Sequence, residues 1–189
     1  MKRLLVAVVL SLFGGFAHAS IILLSSTLTG AAEVPPNASP GIGTATVEID
    51  TVAHTLHLIT SFSGLLGTTT ASHIHCCTAS PNAGTAGVAT AVPFFPGFPI
   101  GVSSGSYDRT FDLTDASTYN PAFVTATGGV GSAELALVGG LVGQTAYLNI
   151  HSSFATGGEI RGFFVPEPGM LALLGLALSA LALRRRRVR

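Results

Sequence analysis

Two histidines one residue apart, His73 and His75, sit in the run Ser72-His73-Ile74-His75, and a third, His151, ends the run Tyr147-Leu148-Asn149-Ile150-His151. On a β-strand, residues i and i+2 face the same side with Cα atoms roughly 6.5–7 Å apart, a separation at which two imidazoles can share one metal ion. Neutral imidazoles suit zinc or copper, and redox activity is a further option for such a site. The same residues can instead form a hydrogen-bonded polar network that fixes strand edges, and spacing leaves both readings open. Cys76 and Cys77 follow directly and are the only cysteines. As neighbours they cannot staple distant parts of the chain. They can form a vicinal disulfide, remain a free pair, bridge two molecules, or serve as soft ligands beside the histidines. Glu33, Asn149, Glu159 and Arg161 form a second polar set, read as structural.

Charge narrows the function classes. Charged residues make up 10% of the 189-residue chain, against about 25% in ordinary globular proteins. Between residues 20 and 165 there are eight acids and two bases, Arg109 and Arg161, a formal charge of −6. That excludes a basic surface for nucleic acid. Lys2 is the only lysine, so no phosphate-binding loop with its lysine is present. No nucleophile constellation and no distinctive carboxylate pair is read, which favours a non-catalytic module. His54 and His57 read as surface residues.

The elements that must carry these residues are strands. Residues 44–50 alternate, with Ala45, Val47 and Ile49 on one face. Residues 55–62, 146–151 and 159–164 alternate in the same way, and 22–28 reads as the first strand. This alternation puts His73, His75, His151, Glu159 and Arg161 on faces turned away from the core. Residues 115–120 and 132–141 read as short helical turns. Pro93-Phe94-Phe95-Pro96-Gly97-Phe98-Pro99 holds too many prolines for a central strand and reads as an irregular loop pinned by its rings. Many short strands with glycine and proline joints predict an all-β fold, a Greek-key-like β-sandwich or small barrel.

The two ends read as sorting segments. Lys2 and Arg3, the apolar run 4–13 and Ala17-His18-Ala19 predict a signal peptide over residues 1–19, removed by signal peptidase. At the other end, Pro166-Glu167-Pro168 precedes an apolar run over 169–183 and the cluster Arg184, Arg185, Arg186 and Arg187. This order resembles the PEP-CTERM sorting signal of Gram-negative bacteria. The resemblance implies processing by an exosortase, a transient stage in the inner membrane through the apolar helix, and a setting of exopolysaccharide and biofilm matrix.

Residues 20–165 carry a second resemblance. Leu28-Thr29-Gly30, Glu33-Val34-Pro35-Pro36, Ser72-His73-Ile74-His75, Tyr147-Leu148-Asn149-Ile150-His151 and Gly157-Gly158-Glu159-Ile160-Arg161-Gly162 occur in this order. Together they resemble the CHRD domain, over about residues 24–164. The resemblance implies an all-β extracellular module. Cys76-Cys77 departs from the Gly-Pro of many members. A weaker similarity, the His-x-His strand, links the chain to copper-zinc superoxide dismutase and is an analogy of fold. The expectation is an exported cell-surface or matrix module, non-catalytic, with a metal-binding β-sandwich as the alternative.

Overall fold

The computed structural model describes residues 21–167, so the signal segment and most of the sorting segment, including Pro168 and Arg184 to Arg187, lie outside the described residues. Strands β1 (Ile21–Thr29), β2 (Ile42–Asp50) and β3 (Thr55–Ser63) form a meander paired over their full lengths. The β2–β3 turn is set by Asp50, whose Oδ1 accepts from the amides of Val52 and Ala53, both at 2.8 Å. An Asp side chain that bonds the backbone two residues on fixes such a turn. β4 (Thr69–His75), β5 (Gly105–Asp112), β6 (Tyr147–Ser152), β7 (Ile160–Phe163) and the two-residue β8 (Val165–Pro166) complete one antiparallel sheet. Its order is β4-β6-β7-β1-β2-β3-β5, with β8 continuing beside β1.

The sheet curls around a core built by period-two burial. Leu24 and Leu28, Ala45, Val47 and Ile49, and Leu56, Leu58 and Phe62 all point inward. Ile74, Leu148, Ile150 and Ile160 meet them from the other half of the sheet. Helices α1 (Pro121–Thr127) and α2 (Val130–Val142) help close the core, through Ala133, Leu137 and Leu141 of α2. The proline-rich loop is pinned as its composition predicts: Phe95 and Phe98 are buried, packed against Tyr107, with Phe95 also against Phe111 and Phe98 against Phe62. No single helix among the described residues is long and apolar enough to cross a membrane.

The fold is all-β, as the alternation predicts. Three elements escape the sequence reading: β5, α1 and the two-residue β8. β5 buries only Tyr107 and Phe111, and between them Asp108, Arg109 and Thr110 are all exposed, so it lacks an apolar alternation. An edge strand tolerates such charges, which also discourage pairing with another chain. α1 is short and carries its start signals close together, Asn120 as cap and Pro121 in the first turn.

One expectation needs correction. The faces turned away from the core are not solvent faces on β4, β6 and β7. Residues 84–93 run along and over the outer edge of β4, where Val88 bridges His75 and the Ala89 amide donates to Ile74 O at 3.0 Å. The side chains of His73, Asn149 and Arg161 are buried although they point away from the core.

Candidate metal centre

The register brings the three histidines together. His73 pairs with Asn149, His75 with Tyr147 and Ala71 with His151, so all three imidazoles stand on one face of β4 and β6. One nitrogen from each ring lies within 4.8 Å of one from each of the others. Each ring is held by a backbone carbonyl on its far side. His73 Nε2 lies 2.8 Å from Pro93 O, His75 Nδ1 lies 2.9 Å from Ala86 O, and His151 Nδ1 lies 2.9 Å from Thr156 O.

These carbonyls decide the tautomers. A carbonyl oxygen only accepts, so the nitrogen facing it carries the hydrogen. The lone pairs of the neutral rings then sit on His73 Nδ1, His75 Nε2 and His151 Nε2, the atoms that converge. Burial holds all three rings below the ordinary histidine pKa, and His75 falls to about 4. At neutral pH they are uncharged and ready to donate lone pairs. His73 Nδ1 and His151 Nε2 lie 3.4 Å apart, and His75 Nε2 is buried without a hydrogen-bond partner. Two lone pairs at that distance repel unless an electrophile lies between them. Nitrogens bound tetrahedrally at about 2.0–2.1 Å from zinc stand about 3.3–3.4 Å apart, so this pair already has ligand spacing. A ligating histidine whose other nitrogen donates to a carbonyl is the usual outer-shell arrangement of such sites.

Around the histidines the polar set divides by role. Tyr147 stacks on His75, with ring centroids 4.9 Å apart and planes within 5°. The Arg161 guanidinium covers the other side of Tyr147 at 4.7 Å from its ring centre. Arg161 also donates to Ala32 O and, from Nη1, to Gly84 O at 3.1 Å. Its acidic partner is Glu33, at 3.8 Å, and not Glu159. Burial pushes the Glu33 carboxyl up to about 7 even with Arg161 opposing the shift. Asn149 stands between Arg161 and His73 in the same row across the sheet.

Glu159 is a staple. It is fully buried and accepts from Ser39 Oγ at 2.6 Å, the Leu66 amide at 2.6 Å, the Gly67 amide at 3.2 Å and Ser152 Oγ. Burial alone would raise its pKa, but these donors outweigh it and hold the carboxyl below its ordinary value. One side chain thereby ties the loops around residues 39 and 66 to the end of β6.

The cysteines lie elsewhere. Cys76 and Cys77 are joined in a vicinal disulfide, with both sulfurs facing α2, 3.6 and 3.4 Å from Ala136 O. A Cβ at Gly140 would collide with both sulfurs, which explains the missing side chain there. Neither sulfur belongs to the histidine group, so the soft-ligand option for Cys76 and Cys77 has no support in this geometry. His54 and His57 are partly exposed and bond Glu134 and Asp108. The letters Gly-x-Ser-x-Gly do occur, at residues 101–105, but they lead into strand β5 and not into a helix, so they form no nucleophile elbow. What sequence reasoning missed are the carbonyls of Pro93, Ala86 and Thr156. Any residue type supplies a carbonyl, so no composition signal marks them. The Tyr147 stack was open to detection, since Tyr147 shares the outer face with His151.

Two family models match the chain. The PEP-CTERM protein-sorting motif covers residues 164–187, which implies export, processing by an exosortase and sorting to the cell surface or beyond. No curated protein and no solved structure matches the chain. The CHRD domain covers residues 24–164, every strand of the sheet but the last and the whole histidine site, and the chain belongs to the CHRD-domain family.

Proposed function

We propose that this CHRD domain is a surface-displayed module that holds one zinc or copper ion with His73 Nδ1, His75 Nε2 and His151 Nε2. The observation that carries this reading is the tautomer pattern: three carbonyl-anchored imidazoles with their lone pairs turned toward one point. A purely structural network would place a donor opposite each lone pair, and here His75 Nε2 has none. Three neutral ligands leave a dication's charge uncompensated. Glu33, 3.8 Å from Arg161, balances the guanidinium charge when ionised.

The role in the extracellular matrix is that of a binding module rather than an enzyme. The sorting motif supports display at the surface, where the ion can contribute to domain stability or to contact with anionic exopolysaccharide. The test is calorimetric titration of the mature protein with Zn²⁺ and with Cu²⁺, beside the variant His151→Ala. One saturable site per chain in the wild type, weakened at least 100-fold in the variant, is the expected result. Equal uptake by both proteins would sink the assignment.

A further inference from the structure

The sorting motif is part of the folded domain's own sheet. Phe164 is fully buried and its amide donates to Ala146 O at 3.3 Å. The next two residues, Val165 and Pro166, are β8, paired opposite Ser25 and Leu24 of β1. Pro166 is thus at once the first residue of Pro-Glu-Pro and the last residue of a strand. The apolar run that the motif carries starts at Gly169. Residues 165–168 span at most about 14 Å when fully extended, so the domain stays close to whatever holds that run.

The other end of the chain points to the same corner. β8 is antiparallel to β1 and is directed toward Ile21, the first residue of β1. The expected signal-peptide junction, before Ser20, lies one residue away. Both segments that meet the membrane during export leave from one end of the sheet. That end exposes apolar side chains: Ile21, Val165, and Val52 in the turn next to Asp50, the partner of Ile21.

We infer that the sorting enzyme docks on this corner of the folded domain and takes Pro166-Glu167 as the end of a sheet strand beside β1, not as a free tail. The partner is a membrane-embedded peptidase with an apolar rim that meets Ile21, Val52 and Val165. The inference is independent of the metal reading. The row holding His73 and Asn149 crosses β1 at Thr29, about 17 Å along the strand from Leu24, so the two features occupy different ends of the sheet.

The test uses the full-length precursor in cells that carry the sorting enzyme, followed by immunoblot of cut and uncut chains. A six-residue Gly-Ser insert between Phe164 and Val165 keeps the motif but frees it from β1. Docking predicts processing at least about fivefold slower than wild type. Processing at the same or a higher rate overturns the inference. Should the insert cost the protease-resistant domain, the double variant Ile21→Asp, Val52→Asp decides in its place. It leaves strand and motif intact, and unchanged processing of that variant overturns the inference equally.

Discussion

The protein carries two sets of histidines, and their neighbours separate them. His54, in the turn between β2 and β3, and His57, on β3, are each bonded to one carboxylate: Glu134 at 2.7 Å and Asp108 at 2.6 Å. Each stands apart from any second imidazole. His73, His75 and His151 lie on the covered half of the same sheet, each bonded to a carbonyl and each aimed at the other two. His57 stands on a strand as the three clustered histidines do, so strand geometry does not separate it from them. The difference is the cover: residues 84–93 run along and over β4 and bring the carbonyls of Ala86 and Pro93, Thr156 after β6 brings the third, and the β2-β3-β5 face stays in water. A histidine becomes a candidate ligand when burial keeps it neutral and a one-way acceptor fixes its tautomer.

The sharpest way to break the comparison is exchange of single rings. His73→Ala or His75→Ala is expected to take metal content from about one ion per chain to none. His54→Ala and His57→Ala leave it at about one. Elemental analysis of the four variants checks this, and loss of metal in either surface variant would erase the distinction.

Glu159 gives the next largest effect. Glu159→Ala removes four hydrogen bonds and leaves the buried Gly67 amide and the Ser152 hydroxyl hydrogen without acceptors, although Ser152 Oγ still accepts from the Phe154 and Ala155 amides. A loss of about 3 kcal/mol or more is expected in urea unfolding, because buried orphaned donors carry their full desolvation cost. A loss under about 1 kcal/mol would contradict the staple.

The pH profile of the metal-free domain comes third. The three buried histidines have folded pKa values below the ordinary 6.5, with His75 near 4, so the unfolded chain binds more protons between these limits. Their contribution is complete above pH 6.5 and is lost as pH falls. Glu33 acts in the opposite sense. Its folded pKa of about 7 lies above 4.5, so its contribution is complete below pH 4.5 and is lost as pH rises through 7. The two partly cancel between pH 4.5 and 6.5. Glu33→Gln is expected to steepen the acid loss of stability in that window, and saturating Zn²⁺ is expected to steepen it further, because a bound ion keeps the folded histidines unprotonated. Chemical denaturation at several pH values reads both effects. The smallest change is expected from His57→Ala, within about 0.5 kcal/mol of wild type, since its exposed pair with Asp108 lies in water.

Much of this is legible in the sequence, for a physical reason. A half-buried strand must alternate, so the strands of the meander and β6 stand out, and the alternation correctly puts the three histidines on the face away from the core. What lies over that face is not legible. The loop of residues 84–93 covers the site with backbone atoms, and backbone atoms carry no residue-type pattern. The partner of Arg161 is hidden for a similar reason. Glu33 and Glu159 are both close in the sheet, and only the register of β7 on β1, with Thr29 opposite Arg161, brings Glu33 to it. β5 is hidden because an edge strand needs charges where a central strand needs apolar residues.

The most direct test of the central claim is elemental analysis of the mature protein purified from its native host without chelators. The account predicts about one zinc or copper per chain, lost in His73→Ala. A chain free of metal that takes up neither Zn²⁺ nor Cu²⁺ on titration would contradict it and would leave the three histidines as a polar network inside the sheet.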